Sequence, residues 1–145
     1  MGAGQTEFGN RKAAENVRSR AMPKAIRITA GQARLEAELN DSATAGMVAE
    51  ALPIKARGNR WGEEIYFEIA VEAGLEADAR EVLEAGELGY WPSGNAFCIF
   101  FGPTPASRGD EIRAASAVNI IGKVKSDLSQ LPGVPNGAQV LIEAD

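Results

Sequence analysis

Gly86-Glu-Leu-Gly-Tyr-Trp-Pro-Ser-Gly-Asn-Ala-Phe-Cys-Ile-Phe-Phe-Gly-Pro-Thr-Pro-Ala-Ser107 is the most informative stretch of the chain. It holds five of the nine aromatic residues, the only cysteine and three of the seven prolines. Proline presets a turn dihedral and glycine tolerates positive φ. Strands Leu88–Trp91 and Ala96–Phe101 are therefore expected on either side of a Trp-Pro-Ser-Gly-Asn turn, with Gly-Pro-Thr-Pro closing the second. Side chains alternate along a strand, so Phe97, Ile99 and Phe101 oppose Ala96, Cys98 and Phe100. Large aromatics are usually buried. That assigns Phe97 and Phe101 to a core and leaves Cys98 and Phe100 as the pair facing a groove.

Outward from this stretch the patterning stays short and β-like. Trp61–Val71 alternates, with Trp61, Glu63, Ile65, Phe67 and Ile69 expected on one side and Gly62, Glu64, Tyr66 and Glu68 on the other. Ile26, Ile28 and Ala30, then Leu35, Ala37 and Leu39, alternate around Gly31-Gln32 and predict a hairpin with one wet face. Asn40-Asp41-Ser42 offers N-caps to a helix in which Ala45, Val48, Ala49 and Leu52 form one apolar face, ended by Pro53. Pro53–Asn59 reads as a strand and Glu72–Ala85 as an irregular acidic connection with helical turns. Gly102–Arg113 is a loop, Val118–Lys125 a strand with a close approach or bulge at Gly122, and Ser126–Leu131 a second helical turn. Gln139–Glu143 is the last strand. Many short strands, two short helices and turn-rich joints indicate an all-β barrel or sandwich.

Composition narrows the chemistry. The chain has 145 residues, enough for one domain with a real core. It contains no histidine, which removes Ser-His-Asp and Cys-His catalysis and every histidine-ligated zinc site. One cysteine cannot build a thiolate cage, so neither a metal nor a cofactor is expected. It cannot form an internal disulfide either, and a cytoplasmic location follows. No apolar run nears the roughly 20 residues that span a bilayer.

Residues 1–27 carry six Lys and Arg against two Glu, whereas residues 28–145 carry nine against eighteen acids. An acidic body repels a polyanion, so nucleic acid is not the expected partner. Residues 1–22 have few large apolar side chains and read as a disordered or dispensable extension, ending near Met22-Pro23. The sharper reading makes Arg11, Lys12, Arg18 and Arg20 a basic arm for an anionic partner. Residues 23–145 form the domain.

The run Tyr90–Pro105 resembles the small single-domain prokaryotic cyclophilin-like family. Leu39-Asn-Asp-Ser-Ala-Thr-Ala45, Ala51-Leu-Pro-Ile54, Trp61-Gly-Glu-Glu-Ile-Tyr-Phe67 and Val118-Asn-Ile-Ile-Gly-Lys-Val124 extend the likeness, in order, over most of Lys24–Asp145. The resemblance implies a closed cyclophilin-like barrel of about eight strands with two short helices capping the ends. True cyclophilins are peptidyl-prolyl isomerases, and Asn95-Ala-Phe-Cys-Ile-Phe is similar to the segment lining their proline pocket. The departures are plain. The pocket histidine is absent, the Phe-x-x-Gln-Gly-Gly-Asp-Phe signature is absent, and Cys98 is the candidate counterpart of a pocket phenylalanine.

Prolyl isomerisation needs no metal and no nucleophile. Its barrier of roughly 18–20 kcal/mol reflects the partial double bond, which an arginine hydrogen bond can weaken. The resemblance makes Arg57 or Arg60 the catalytic candidate, both flanking the Gly58-Asn59 turn. Trp61, Glu63, Tyr90, Trp91, Asn95, Cys98 and Phe100 are the groove candidates. Glu63 and Glu64 point to opposite faces and cannot act as a carboxylate pair on one substrate. Two readings of function result. One is a binding module, non-enzymatic or vestigial, for a small molecule or an extended, proline-containing peptide; the other is a weak prolyl isomerase. A third, from the wider superfamily, in which such barrels are parts of larger amidohydrolase-type assemblies, predicts a protein partner.

Overall fold

The computed structural model describes residues 24–145, so the N-terminal extension and its basic residues lie outside the described residues. Strand β1 (Lys24–Ala30) turns at Gly31 into β2 (Ala33–Leu39), and the pair is antiparallel with Ile28 opposite Leu35. Ile26, Ile28, Leu35 and Leu39 are buried while Arg27, Arg34 and Glu36 face water, as the alternation requires. Helix α1 (Ala43–Glu50) follows, its first turn capped by the Ser42 hydroxyl accepting from the Ala45 amide at 3.2 Å. It buries Thr44, Ala45 and Val48.

The remaining strands are β3 (Ile54–Arg57), β4 (Asn59–Arg60), β5 (Glu64–Glu68), β6 (Arg80–Leu83), β7 (Glu87–Trp91), β8 (Ala96–Phe100), β9 (Ile112–Val124) and β10 (Gln139–Ala144). They form one antiparallel sheet in the order β3-β10-β1-β2-β9-β7-β8-β5-β4, with β6 paired to β9. The ends of the ladder are β3 and β4, which only Gly58 separates in the chain. A Cβ at Gly58 would stand 2.9 Å from Ile65 and 3.3 Å from Val140, so a glycine lets this chain pass between β10 and β5.

Two apolar cores lie on opposite faces of β8. The larger is built from Ile26, Ile28, Leu35, Ile65, Phe67, Leu88, Tyr90, Phe97, Ile99, Ile121 and Ile142, among others. Phe67 and Phe97 stack at its centre, ring centroids 5.3 Å apart. Each such phenylalanine stabilises the fold by about 1.5–3 kcal/mol. The smaller core joins Ala96, Cys98 and Phe100 of β8 to Leu83 of β6 and to Ile112, Ala114 and Val118 of β9. Gly89 makes this possible. A Cβ there would meet Val118 at 2.9 Å and Phe100 at 3.1 Å.

Two expectations are corrected. Among the described residues there is one α-helix; Ser126–Leu131 is a turn leading into a single 3-10 turn, Leu131–Gly133. Pro132 has no N–H to continue a helix there. The strands number ten rather than about eight, because β6 lies inside the acidic connection and the short β4 follows β3 after Gly58; β9 also starts earlier than expected, at Ile112. The ladder itself is a large antiparallel sheet with two ends, β3 and β4. The rest of the acidic connection is pinned by a buried polar network. Glu76 accepts from the Thr44 amide (2.9 Å) and hydroxyl, its own amide donates to Asn119 Oδ1 (2.8 Å), and Asn119 Nδ2 donates to Thr44 Oγ1 (3.0 Å) and the Gly74 carbonyl (2.9 Å).

Candidate functional site

The β5–β8 ladder determines what faces the smaller core. Glu64 pairs with Phe100, Tyr66 with Cys98 and Glu68 with Ala96, so these six side chains share one face. Ile65, Phe67, Ile99 and Phe97 share the other and fill the larger core. The predicted division of β8 is therefore seen, with Cys98 and Phe100 away from the main core. Both are fully covered, however, and lie beneath a pocket rather than on its wall.

That pocket has a volume of about 250 Å³ and is lined by Trp61, Glu64, Tyr66, Trp91, Ala114, Ala115 and Val118. Trp61 reaches it because the alternation predicted for Trp61–Val71 breaks at Gly62, whose φ of +62° turns the chain. The Trp61 amide donates to the Glu64 carbonyl across that turn at 3.0 Å. A Cβ on Gly62 would also stand 2.9 Å from the Pro103 carbonyl oxygen. Trp61 thus stands with Glu64 and Tyr66, not with Ile65 and Phe67. Trp91 is fixed on the far side by its indole N–H, which donates to Ser116 Oγ at 2.6 Å.

Glu64 is the unusual member. It is 5% exposed and forms no ion pair among the described residues; Cys98, whose thiol donates to the Ala96 carbonyl at 3.8 Å, is its neighbour across the ladder. Burial raises its pKa to about 7, and the thiol contact offsets part of that rise. Burial, helped by the neighbouring Glu64, pushes the Cys98 thiol well up, which keeps it from acting as a nucleophile. Sequence reasoning set Glu64 aside in favour of Glu63. The alternation already put Glu64 on the side of Tyr66; Gly62 resets only what precedes it and so turns Trp61 onto that side.

The arginine candidates stand elsewhere. Arg60 Nη1 donates to the carbonyls of Val134 (2.6 Å) and Pro132 (3.2 Å), and its Nε and Nη2 to Gly62 (3.1 and 3.0 Å). Nη2 also lies 3.3 Å from Glu63 Oε2, and the guanidinium sits 5.2 Å from the Phe101 ring centre. Arg60 and Glu63 are thus a clamp between loops. Arg57 is exposed, donates to the Gly137 carbonyl at 3.1 Å, and borders a separate open groove of about 600 Å³ with Thr29, Lys55 and Gln139. None of the residues lining the aromatic pocket is an arginine.

Tyr90 and Asn95 are also placed apart from the pocket. Tyr90 is fully buried in the larger core, its hydroxyl donating to the Val71 carbonyl at 2.5 Å and accepting from the Ala73 amide at 3.3 Å. The Asn95 side-chain amide lies 3.1 Å from that hydroxyl. Asn95 itself adopts φ of +50° to end the 3-10 turn Pro92–Gly94, and its carbonyl accepts from Ile69. Of the groove candidates, Trp61 and Trp91 line the pocket, with Glu64, Tyr66, Ala114, Ala115 and Val118 added by the fold. Among the described residues no three His, Cys, Asp or Glu side chains stand together as a metal site would need.

Residues 24–143 match the family model described as Cyclophilin-like. The chain belongs to the cyclophilin-like family. This cyclophilin-like chain is also similar to a hypothetical protein from Archaeoglobus fulgidus whose solution structure is known. The two are 40% identical with a TM-score of 0.74, the match covering 86% of this chain and 97% of that one. No curated protein matches it. No helix among the described residues of the cyclophilin-like chain is long and apolar enough to cross a membrane.

Proposed function

We propose that this cyclophilin-like chain is a binding module whose site is the pocket between Trp61, Tyr66 and Trp91. The observation that carries the reading is the convergence of three aromatic side chains and one buried carboxyl on a single concave surface. The volume of about 250 Å³ lies just below the roughly 300–1,000 Å³ of typical small-molecule sites. It suits a compact group: a small molecule, or one side chain of an extended, proline-containing peptide. The isomerase alternative needs a guanidinium over the bound amide, and Arg57 and Arg60 are both engaged at other places. Binding is therefore the reading the geometry favours. The same proposal includes closure of the sheet into a barrel through the Gly58 passage between β3 and β4, and a cytoplasmic setting for a chain with one covered thiol.

Chemical-shift mapping with a panel of small molecules and proline peptides tests it. Ligands of this site shift the indole N–H signals of Trp61 and Trp91 first. Shifts confined to the open groove beside Arg57, or no shift from any member of the panel, would remove the proposal. Exchange spectroscopy on the same peptides is expected to show no catalysed cis/trans exchange.

A further inference from the structure

Resting on the binding reading, we propose that the pocket takes an organic ammonium group, held against Trp61, Tyr66 and Trp91 with Glu64 as its counter-ion. Aromatic faces attract cations electrostatically, the attraction grows as water is excluded, and quaternary ammonium groups are the ligands that cages of this kind select. A purely apolar ligand would use the aromatic walls but leave the carboxyl facing it without compensation. A carboxylate ligand would meet like charge wherever Glu64 is ionised. A cation uses the whole lining, drawn to the aromatic faces and paired with the carboxyl. The body beyond residue 27, with nine basic against eighteen acidic residues, draws cations towards the surface as well.

The groups around Glu64 determine how the site responds to pH. Tyr66 lies on its own strand and Cys98 on β8, while β9 presents Ala114, Ala115 and Val118. The charged neighbours are bound elsewhere: Arg60 to Glu63 and the carbonyls of Gly62, Pro132 and Val134, and Arg113 to Glu111 and Glu81. In the empty pocket burial holds the carboxyl protonated up to about pH 7. A bound cation favours the ionised form, so the Glu64 O–H proton passes to solvent as the ligand enters.

Titration of the full chain with choline, and with its neutral analogue in which carbon replaces the charged nitrogen, tests the inference. Choline is expected to bind at least about tenfold more tightly than the neutral analogue. Its affinity should fall about tenfold for each pH unit below about 7. Calorimetry in two buffers of different ionisation enthalpy should show proton release near pH 6, where Glu64 is mostly protonated before binding. Glu64→Gln should reduce the preference to what the aromatic faces alone supply, erase the pH dependence and keep weak binding of the neutral analogue. The wild-type measurements decide the matter even if that variant does not fold. Equal binding of the two probes, or tighter binding at lower pH, would overturn the ammonium assignment; the latter would mark a protonated Glu64 donating to a ligand carbonyl. If choline fails while another compound shifts Trp61 and Trp91, only the ammonium assignment falls. If no compound shifts them, the binding reading falls with it.

Discussion

Glu64 and Cys98 are diagonal neighbours on one face of the β5–β8 ladder, the carboxyl buried and the thiol donating to the Ala96 carbonyl at 3.8 Å. Burial makes each costly to ionise; the carboxyl adds to that cost for the thiol, whereas the thiol reduces it for the carboxyl. The carboxyl keeps its proton to about pH 7 and the thiol keeps its proton well beyond its usual range.

This sets a pH dependence of stability with a definite sign. Between pH 4.5, the ordinary value, and about 7, the unfolded chain has lost the Glu64 proton while the folded chain retains it. The contribution is therefore fully present below about 4.5 and declines as pH rises to about 7. The total is about 3 kcal/mol at about 1.4 kcal/mol per unit. Glu87 acts in a different window. Burial alone would raise it, but the two-pronged Arg80 contact (2.8 and 2.7 Å) brings it below the usual carboxylate range, so its contribution is lost only in acid. Urea unfolding of wild type and Glu64→Gln between about pH 5.5 and 8 isolates the Glu64 effect. The variant should gain on wild type as pH rises, reaching about 1–3 kcal/mol at the alkaline end. A constant difference would contradict this account of Glu64.

Arg60 and Arg57 should separate in stability rather than in activity. Arg60→Ala removes donors from the carbonyls of Gly62, Pro132 and Val134 and uncovers Phe101. A loss of about 2–3 kcal/mol is expected, since hydrogen bonds from a charged group are the stronger kind. Arg57→Ala deletes one exposed bond to Gly137 and should change stability by less than about 0.5 kcal/mol. Thermal melts of the two variants side by side check the contrast.

Two glycines predict opposite outcomes for the same substitution. A Cβ on Gly122 would lie 2.1 Å from the Glu38 carbonyl oxygen, in backbone that cannot yield without separating β2 from β9. Gly122→Ala should cost more than about 3 kcal/mol or prevent folding. Gly46, inside α1, has no heavy atom within 4 Å of its added Cβ. Gly46→Ala should stabilise by about 0.5–1 kcal/mol, read as a higher denaturation midpoint.

Much of this molecule is written in local patterns. The hairpin β1–β2, the Ser42 cap, the aromatic β8 and the close approach at Gly122 follow from period-two alternation, capping chemistry and the small size of glycine. Those signals act over a few residues and need no partner to be read. The extent of β9 was not legible, because Arg113–Ala117 is composed mostly of small residues whose burial depends on β6 lying beside them. Nor was β6 itself, whose Arg80, Glu81 and Val82 are exposed and whose Leu83 alone is buried.

The site divides in the same way. Sequence alone picked out Trp61, Trp91, Cys98 and Phe100, since bulky aromatics beside rigid turns stand out in one dimension. It also removed histidine chemistry outright. Only the tertiary structure decided that Arg60 is spent on loop carbonyls, that Tyr90 is core, and that Glu64 rather than Glu63 reaches the pocket. The reason is physical. Alternation says which residues share a face but not which face meets a pocket, and one positive-φ glycine at position 62 inverts the count for Trp61. What then covers the face, here β6 and the first half of β9, is contributed by chain far away in sequence.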